Sequence, residues 1–303
     1  VKKTWRLGTR GSALAVAQSQ LVADALAARS GDRVELVRIT TRGDQIVDRP
    51  LGEVGGKGLF TKELESSLLA GEIDLAVHSL KDLPSEQPEG LVLAAVPKRV
   101  DARDVLVGST LAGLREGAVV GTGSARRRMQ LHALRPDLDI RDVRGNVDTR
   151  IDKQRSGAFD AVVLAAAGLI RLGRRSDITE ALSVDQMVPA PGQGVLGIQC
   201  KEEAWALREL LHKLGDEETG WAVEAERAFL AELGGGCSVP VGCHASFERH
   251  GRLELRAFHG RDDGVWVSER GRCAPQDAAA AGRELARHLV ERLKHQPPRK
   301  AGD

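Results

Sequence analysis

The stretch Ile73-Asp-Leu-Ala-Val-His-Ser-Leu-Lys-Asp-Leu-Pro84 runs from an apolar segment into a lysine, an aspartate and a proline. Ile73, Leu75, Ala76 and Val77 fit a parallel strand buried on both faces, and Pro84 prevents its continuation. Ligands of open α/β sheets collect beyond the carboxyl ends of the strands. That rule puts Ser79, Lys81 and Asp82 where a ligand would sit. Taken alone, Lys81 and Asp82 fit a solvated turn pair better, so the flanking sequence has to decide.

The same pattern recurs on both sides. Residues 4–9 read as a strand, and Gly11-Ser12 leads into a helix over 13–28. Arg10 and Ser12 therefore lie at a helix start, where backbone N–H groups and the helix dipole favour an anion; an ordinary serine cap beside an exposed arginine accounts for them too. A strand over 34–40 follows. Residues 44–60 lack periodicity and carry Gly52, Gly55, Gly56 and Gly58, which reads as a loop or lid. Gly56-Lys57 is not a phosphate loop, because Leu51 replaces the first glycine and Gly58 the required Ser or Thr. A helix over 61–70 then delivers the chain into the opening strand.

After a strand at 91–96 the chain crosses into a second α/β unit, with strands predicted at 105–108, 118–121, 138–143 and 161–164. Gly121-Thr-Gly-Ser-Ala-Arg-Arg-Arg128 begins like a dinucleotide fingerprint, yet Arg126 occupies the third glycine position. With Ser124, Arg126 and Arg127 it suits a carboxylate clamp at a helix N-terminus. Arg144, Arg150 and Arg171 repeat the placement of a basic residue near a strand end. Residues 98–175 hold 16 Lys or Arg against 9 Asp or Glu, although the whole chain has a net charge of only +1. The local excess points to an anionic partner.

Pro189-Ala-Pro-Gly-Gln-Gly194 marks a second crossing, and 195–200 reads as a strand returning to the first sheet. Two crossings predict a two-lobed, hinged α/β architecture. Helices are expected at 202–214 and 219–233. Alternating segments near 243–247, 253–258 and 265–268, closed by a helix over 277–293, predict a small α+β domain. The resulting domains are 1–97 with 195–215, then 98–194, then 216–303. The last is entered through Leu233-Gly-Gly-Gly-Cys237-Ser-Val-Pro240, where glycines place a thiol on a loop. Buried packing is the alternative fate for Cys237, and Cys243 fits it better from its place in a strand pattern.

Composition narrows the function. With no Tyr and 3% aromatic residues, base-stacking equipment is thin, so no nucleic-acid partner is expected. No apolar run approaches the roughly 20 residues that span a bilayer, and Gln18-Ser-Gln20 interrupts any signal-peptide core. The expectation is a cytoplasmic protein without a membrane partner; because Val1 is no initiator Met, a trimmed targeting segment stays open. The 4 cysteines show no zinc-type spacing, so neither a metal site nor a disulfide framework is expected.

Taken together, Thr9-Arg-Gly-Ser-Ala-Leu-Ala15, Val54-Gly-Gly-Lys-Gly-Leu-Phe60, Ala76-Val-His-Ser-Leu-Lys-Asp-Leu-Pro84, Gly121-Thr-Gly-Ser-Ala-Arg-Arg127, Arg144-Gly-Asn-Val147 and Gly235-Gly-Cys-Ser-Val-Pro240 resemble the porphobilinogen deaminase (hydroxymethylbilane synthase) family, in the family's order. Two departures stand out. Gly123 replaces a usual Ser, which puts one hydroxyl contact in doubt, and Ala125 replaces a frequent Leu.

The resemblance implies two lobes like those of periplasmic binding proteins plus the C-terminal domain. It implies a monomeric transferase of tetrapyrrole (haem) biosynthesis that condenses porphobilinogen head to tail, releases ammonia, and hydrolyses the product to 1-hydroxymethylbilane. The growing chain would be carried on a dipyrromethane cofactor held through a thioether to Cys237. Asp82 matches the catalytic aspartate. Ser79, Lys81, Asp82, Thr122, Ser124, Arg126, Arg127, Arg144 and Gly145 match cofactor contacts. Arg10, Ser12, Gln18, Arg144, Arg150 and Arg171 match substrate contacts, and Lys57 and Phe60 fall in the family's mobile loop, where Phe60 either covers the pyrroles or simply packs. The rival from another class is a two-lobed binding protein that closes on a small polycarboxylate without chemistry.

Overall fold

The computed structural model describes residues 2–41, 43, 58–234 and 239–298. The chain divides into two compact units, Val1–Val100 with Gly194–Gly220, and Asp101–Gln193 with Trp221–Asp303.

The first unit is built on β1 (Thr4–Thr9), α1 (Ala13–Ser30), β2 (Arg33–Arg38), α2 (Lys62–Ala70), β3 (Leu75–Ser79) and β4 (Leu91–Ala95). The later strand β10 (Leu196–Lys201) and helix α6 (Trp205–His212) return to complete it. Its five-stranded sheet has the order β2-β1-β3-β10-β4. β1 runs parallel to both β2 and β3, whereas β10 is antiparallel to both β3 and β4. The expected return of the chain to this sheet is therefore present, but the opening strand lies in a mixed sheet and begins at Leu75 rather than Ile73. Both faces are buried, as the apolar run requires. Leu75 and Val77 pack with Leu7, Leu26, Ile198 and Leu211, while Ala76 and Ile73 pack on the other side with Leu64 and Leu68. A side chain at Gly8 would strike Ile73 and Leu64, so a residue without Cβ lets α2 approach β1 closely.

The second unit contains two sheets. β5 (Asp104–Val107), β6 (Val119–Gly121), α3 (Ala125–Leu134), β7 (Asp139–Arg141), α4 (Val147–Arg155), β8 (Ala161–Ala165), α5 (Ala166–Arg171) and β9 (Glu180–Ala181) form the first. Its order is β7-β6-β8-β5-β9, with β6 parallel to β7 and β8 and with β5 antiparallel to β8 and β9. Period-two alternation sends Val105, Val107, Val162 and Leu164 to one face and Leu106, Ala161 and Val163 to the other. After α7 (Glu217–Glu232), which begins in the first unit and ends in the second, β11 (Val241–Phe247), β12 (Leu253–Gly260) and β13 (Trp266–Cys273) make an antiparallel meander. The closing helix α8 (Ala278–Lys294) and α7 cover it around Phe229, Leu255 and Leu289. At Gly282 a side chain would collide with the backbone of Ala225, which fixes how closely the two helices cross. Cys243 is buried in this core, as its strand pattern suggested.

Candidate active site

In the first unit the polar residues gather at the carboxyl ends of β1 and β3. Ser12 caps α1 by accepting a hydrogen bond from the Ala15 N–H at 3.3 Å, satisfying a donor that the helix start leaves orphaned. The guanidinium carbon of Arg10 lies 4.1 Å from the centroid of the Phe60 ring, a cation–π contact. Gln18 is buried on α1, and its side-chain amide holds Ser79 Oγ, with Nε2 at 3.0 Å and Oε1 at 3.2 Å. The strand end is thus tied to the helix beside it.

Beyond Ser79 the chain makes a single 3-10 turn, Leu80–Asp82. Leu80 and Leu83 are each only 2% exposed and anchor the turn in the core. Leu80 N donates to Val195 O at 3.0 Å and Leu83 N to Leu80 O at 3.1 Å. Lys81 is left half-buried and Asp82 exposed. Directly beneath, His78 Nε2 lies 3.0 Å from Gln199 Oε1. Burial, joined by the positive charge of Arg10 and opposed by the Gln199 contact, lowers the His78 pKa to about 4. The imidazole is therefore neutral at physiological pH.

In the second unit Thr122, Ser124, Arg144, Gly145, Arg150 and Arg171 follow the ends of β6, β7 and β8. Ser124 caps α3, accepting from the Arg127 N–H at 3.4 Å, and Asn146 caps α4, accepting from the Thr149 N–H at 2.9 Å. Gly145 has φ 108°, a backbone that side chains resist, and its carbonyl accepts from Arg150 Nε at 2.8 Å. Lys153 Nζ donates to the Arg144 carbonyl at 3.2 Å. Burial lowers the Arg171 pKa to about 10.

Arg126 and Arg127 behave differently from a surface clamp. Both are buried, and they grip Asp104, which is 0% exposed. Arg126 Nη1 stands 2.7 Å from Asp104 Oδ2, and Arg127 Nη2 stands 2.7 Å from Oδ1. Gln193 Nε2 adds a third donor at 2.9 Å, while Arg126 and Arg127 also donate to the carbonyls of Val188 and Val163. Burial alone would raise the Asp104 pKa, but the two guanidiniums outweigh it and hold the carboxyl well below the usual range. The clamp expected for a ligand carboxylate closes on one of the protein's own, because a buried arginine needs a partner. Asp104 escaped the sequence reading; its one signal is a carboxylate set directly against the apolar run Val105–Val107.

Lys57 and Cys237 lie outside the described residues. Cys200, Cys243 and Cys273 are buried thiols, and burial pushes Cys200 up to about 11. Among the described residues no group of three or more His, Cys, Asp or Glu could hold a metal ion, and no helix is long and apolar enough to cross a membrane.

Residues 5–209 match the family described as porphobilinogen deaminase, dipyromethane cofactor binding domain, and residues 221–291 match porphobilinogen deaminase, C-terminal domain. The chain belongs to the porphobilinogen deaminase family. It is 50% identical over 295 residues to the porphobilinogen deaminase of Roseiflexus sp. (strain RS-1), covering 96% of this chain and 97% of that one. The porphobilinogen deaminase of Brevibacillus brevis is 46% identical over 290 residues, covering 94% of each. Among solved structures, substrate binding domain 2 of Lactococcus lactis GlnP aligns with a TM-score of 0.43 at 13% identity, over 77% of this chain and 91% of that one.

Porphobilinogen deaminase family members of this kind take a dipyrromethane, a group bearing several carboxylates. The donor set fits such a group. Arg144, Arg150 and Arg171, with two capped helix starts at Ser124 and Asn146, supply cations and hydrogen-bond donors where the strands end.

Proposed function

We infer that this protein is a hydroxymethylbilane synthase. It condenses four porphobilinogen molecules head to tail on a covalent dipyrromethane, with loss of ammonia at each step, and releases 1-hydroxymethylbilane by hydrolysis. The observation that carries this is the pair of family matches over 5–209 and 221–291, with relatives of the same name aligned over nearly the whole chain.

When bound, the dipyrromethane supplies the pyrrole carbon nucleophile from which the chain grows. Cys237 is the residue we assign to its thioether. Ser124, Arg144, Arg150 and Arg171 would hold its carboxylates and those of incoming rings through charge-assisted bonds. Arg126 and Arg127 would add to this from within their ion-paired cluster, so their first contribution is to shape the start of α3. Thr122 and Gly145 bring backbone close to the same strand ends.

In the first unit, Arg10 and Ser12 would receive the substrate's acetate and propionate, while Gln18, buried and bonded to Ser79, would serve them by fixing the strand end. Loss of ammonia from porphobilinogen leaves a positively charged azafulvene whose charge is spread over the pyrrole nitrogen. Asp82 stabilises that charge by accepting a hydrogen bond from the ring N–H, and takes up the proton released when the new ring rearomatises. Ser79 and Lys81 orient the reacting rings beside it. Lys57 and Phe60 are assigned to a covering loop, and the Arg10–Phe60 contact gives that cover a docking point.

The reading keeps three domains, 1–97 with 195–215, 98–194 and 216–303, supported by three sheets with separate apolar cores. It also keeps a monomeric cytoplasmic enzyme without nucleic-acid or membrane partners. Intact mass under denaturing conditions tests the anchor. A mass excess of one dipyrromethane in the parent and its absence in Cys237→Ser is the expected result. An unmodified, inactive parent that gains neither mass nor activity on incubation with porphobilinogen would favour a reversible polycarboxylate-binding protein.

A further inference from the structure

The turn that carries Lys81 and Asp82 is enclosed by a ring of side-chain hydrogen bonds that the reaction chemistry does not use. On one side of the turn, His78 Nε2 meets Gln199 Oε1 at 3.0 Å. From the far side of that amide, Gln199 Nε2 donates to Gln87 Oε1 at 3.0 Å, with a longer branch to Glu65 Oε1 at 3.4 Å. Gln87 Nε2 then donates to the carbonyl of Pro84 at 3.1 Å, just past the turn. The backbone from 78 to 84 closes the circuit. Every link lies in the first unit, on β3, β10, α2 and the segment leading to β4.

The orientations are fixed by elimination. Gln199 faces two side-chain oxygens with its nitrogen, so its oxygen faces His78, and the neutral imidazole carries its proton on Nε2. Gln199 and His78 are 0% and 5% exposed, so water cannot replace a broken link there. Glu65 is also buried, and burial raises its pKa. Gln87 is only half-buried and is the accessible end of the strap.

We propose that Gln199 and Gln87 are positioning residues for Asp82: they strap the end of its turn to the strand before it, so that the carboxylate meets the pyrrole N–H in one orientation. This rests on the assignment of Asp82 to the reaction. The strap reaches the end of the turn through the Pro84 carbonyl and the strand before it through His78. A displacement of about 1 Å at a reacting group costs on the order of 100-fold in rate, so a strap that sets this distance should show in turnover before it shows in folding.

Single-turnover and steady-state kinetics of cofactor-loaded protein, with porphobilinogen as substrate, test this in Gln87→Leu, Gln87→Glu, Gln199→Leu and Asp82→Asn. In Gln87→Leu, kcat should fall roughly 10- to 100-fold with KM within about twofold and the melting temperature nearly unchanged. Gln87→Glu supplies the discriminating readout. A protonated carboxyl can still donate to Pro84 O, whereas its ionised form repels that carbonyl. Its kcat should approach the parent's at low pH and fall as pH rises through an ionisation absent from the parent profile. Parental kcat and pH profile in both Gln87 variants overturn the strap, even if Gln199→Leu is unstable, since a merely structural amide would lower stability alone. Near-parental turnover in Asp82→Asn would instead overturn the assignment of Asp82. Loss of turnover there with parental Gln87 variants removes only the strap.

Discussion

The two α/β sheets share one plan and differ at its centre. Each places its second parallel strand outermost, then the first, then the third, then an antiparallel strand, then an edge strand. The third strand of the first unit, β3, ends in Ser79-Leu-Lys-Asp82; its counterpart β8 ends in Ala165-Ala-Ala-Gly168. The first end turns once in a 3-10 helix and presents an exposed carboxylate, whereas the second starts a packed helix whose first residues are buried. The units also satisfy their buried polar groups differently. Neutral amides and an imidazole line the first, while two guanidiniums close on Asp104 in the second. One scaffold thus carries an exposed carboxylate at one strand end and a buried ion-paired cluster in the other sheet, and the difference is made by a few residues.

The comparison breaks most sharply if the carboxylate at β3 loses its charge. Asp82→Asn should lower turnover by about 100- to 1000-fold, in the range seen when one stabilising group of a charged transition state is removed, while intact mass still shows the assembled cofactor. In the second unit the largest effect should be on stability. Asp104→Asn leaves two buried guanidiniums short of a counter-charge and should cost about 3–5 kcal/mol, read as a lower urea midpoint.

Acid should separate the units further. The folded pKa of His78 is lowered to about 4, against about 6.5 in an unfolded chain. The unfolded state therefore binds the extra proton first, and the stabilisation present above about pH 6.5 drains away as pH falls toward 4. Asp104 is likewise depressed, but from an unfolded value of about 3.9, so its contribution persists until the pH falls below that. Hydrogen exchange by mass spectrometry, corrected for intrinsic rates, should show β3 and β10 losing protection at higher pH than β5 and β8. Simultaneous loss would erase this distinction.

Smaller effects sharpen the likeness rather than the difference. Arg144→Leu should slow elongation several-fold with the cofactor retained, and unchanged elongation kinetics would remove Arg144 from the carboxylate-holding set. Ser12→Ala and Ser124→Ala cut equivalent caps and should each cost about 1 kcal/mol by thermal denaturation.

Much of this was legible in the sequence because it is local. The strands around Leu7, Val77, Val163 and Ile198 announce themselves as short apolar runs, and the serine caps stand directly before their helices. What stayed hidden depends on long-range pairing. Nothing near Arg126 shows that its partner is Asp104, because β5, earlier in the chain, brings the carboxylate there. Gln199 sits within a run that reads as plain core, and its link to His78 spans 121 residues. The antiparallel sense of β5 and β10 was equally invisible, since an apolar run does not disclose its direction.

Those two antiparallel strands impose an order on synthesis. During translation β3 and β4 emerge more than 90 residues before β10, which hydrogen-bonds to both. Until then the first sheet has an unfilled slot between β3 and β4, flanked by two strands with open backbone edges. All five strands of the second unit's α/β sheet are therefore synthesised before the first can close. That exposed interval is where a chaperone would be needed and where a ribosome-stalled fragment ending before Leu196 should be prone to aggregate.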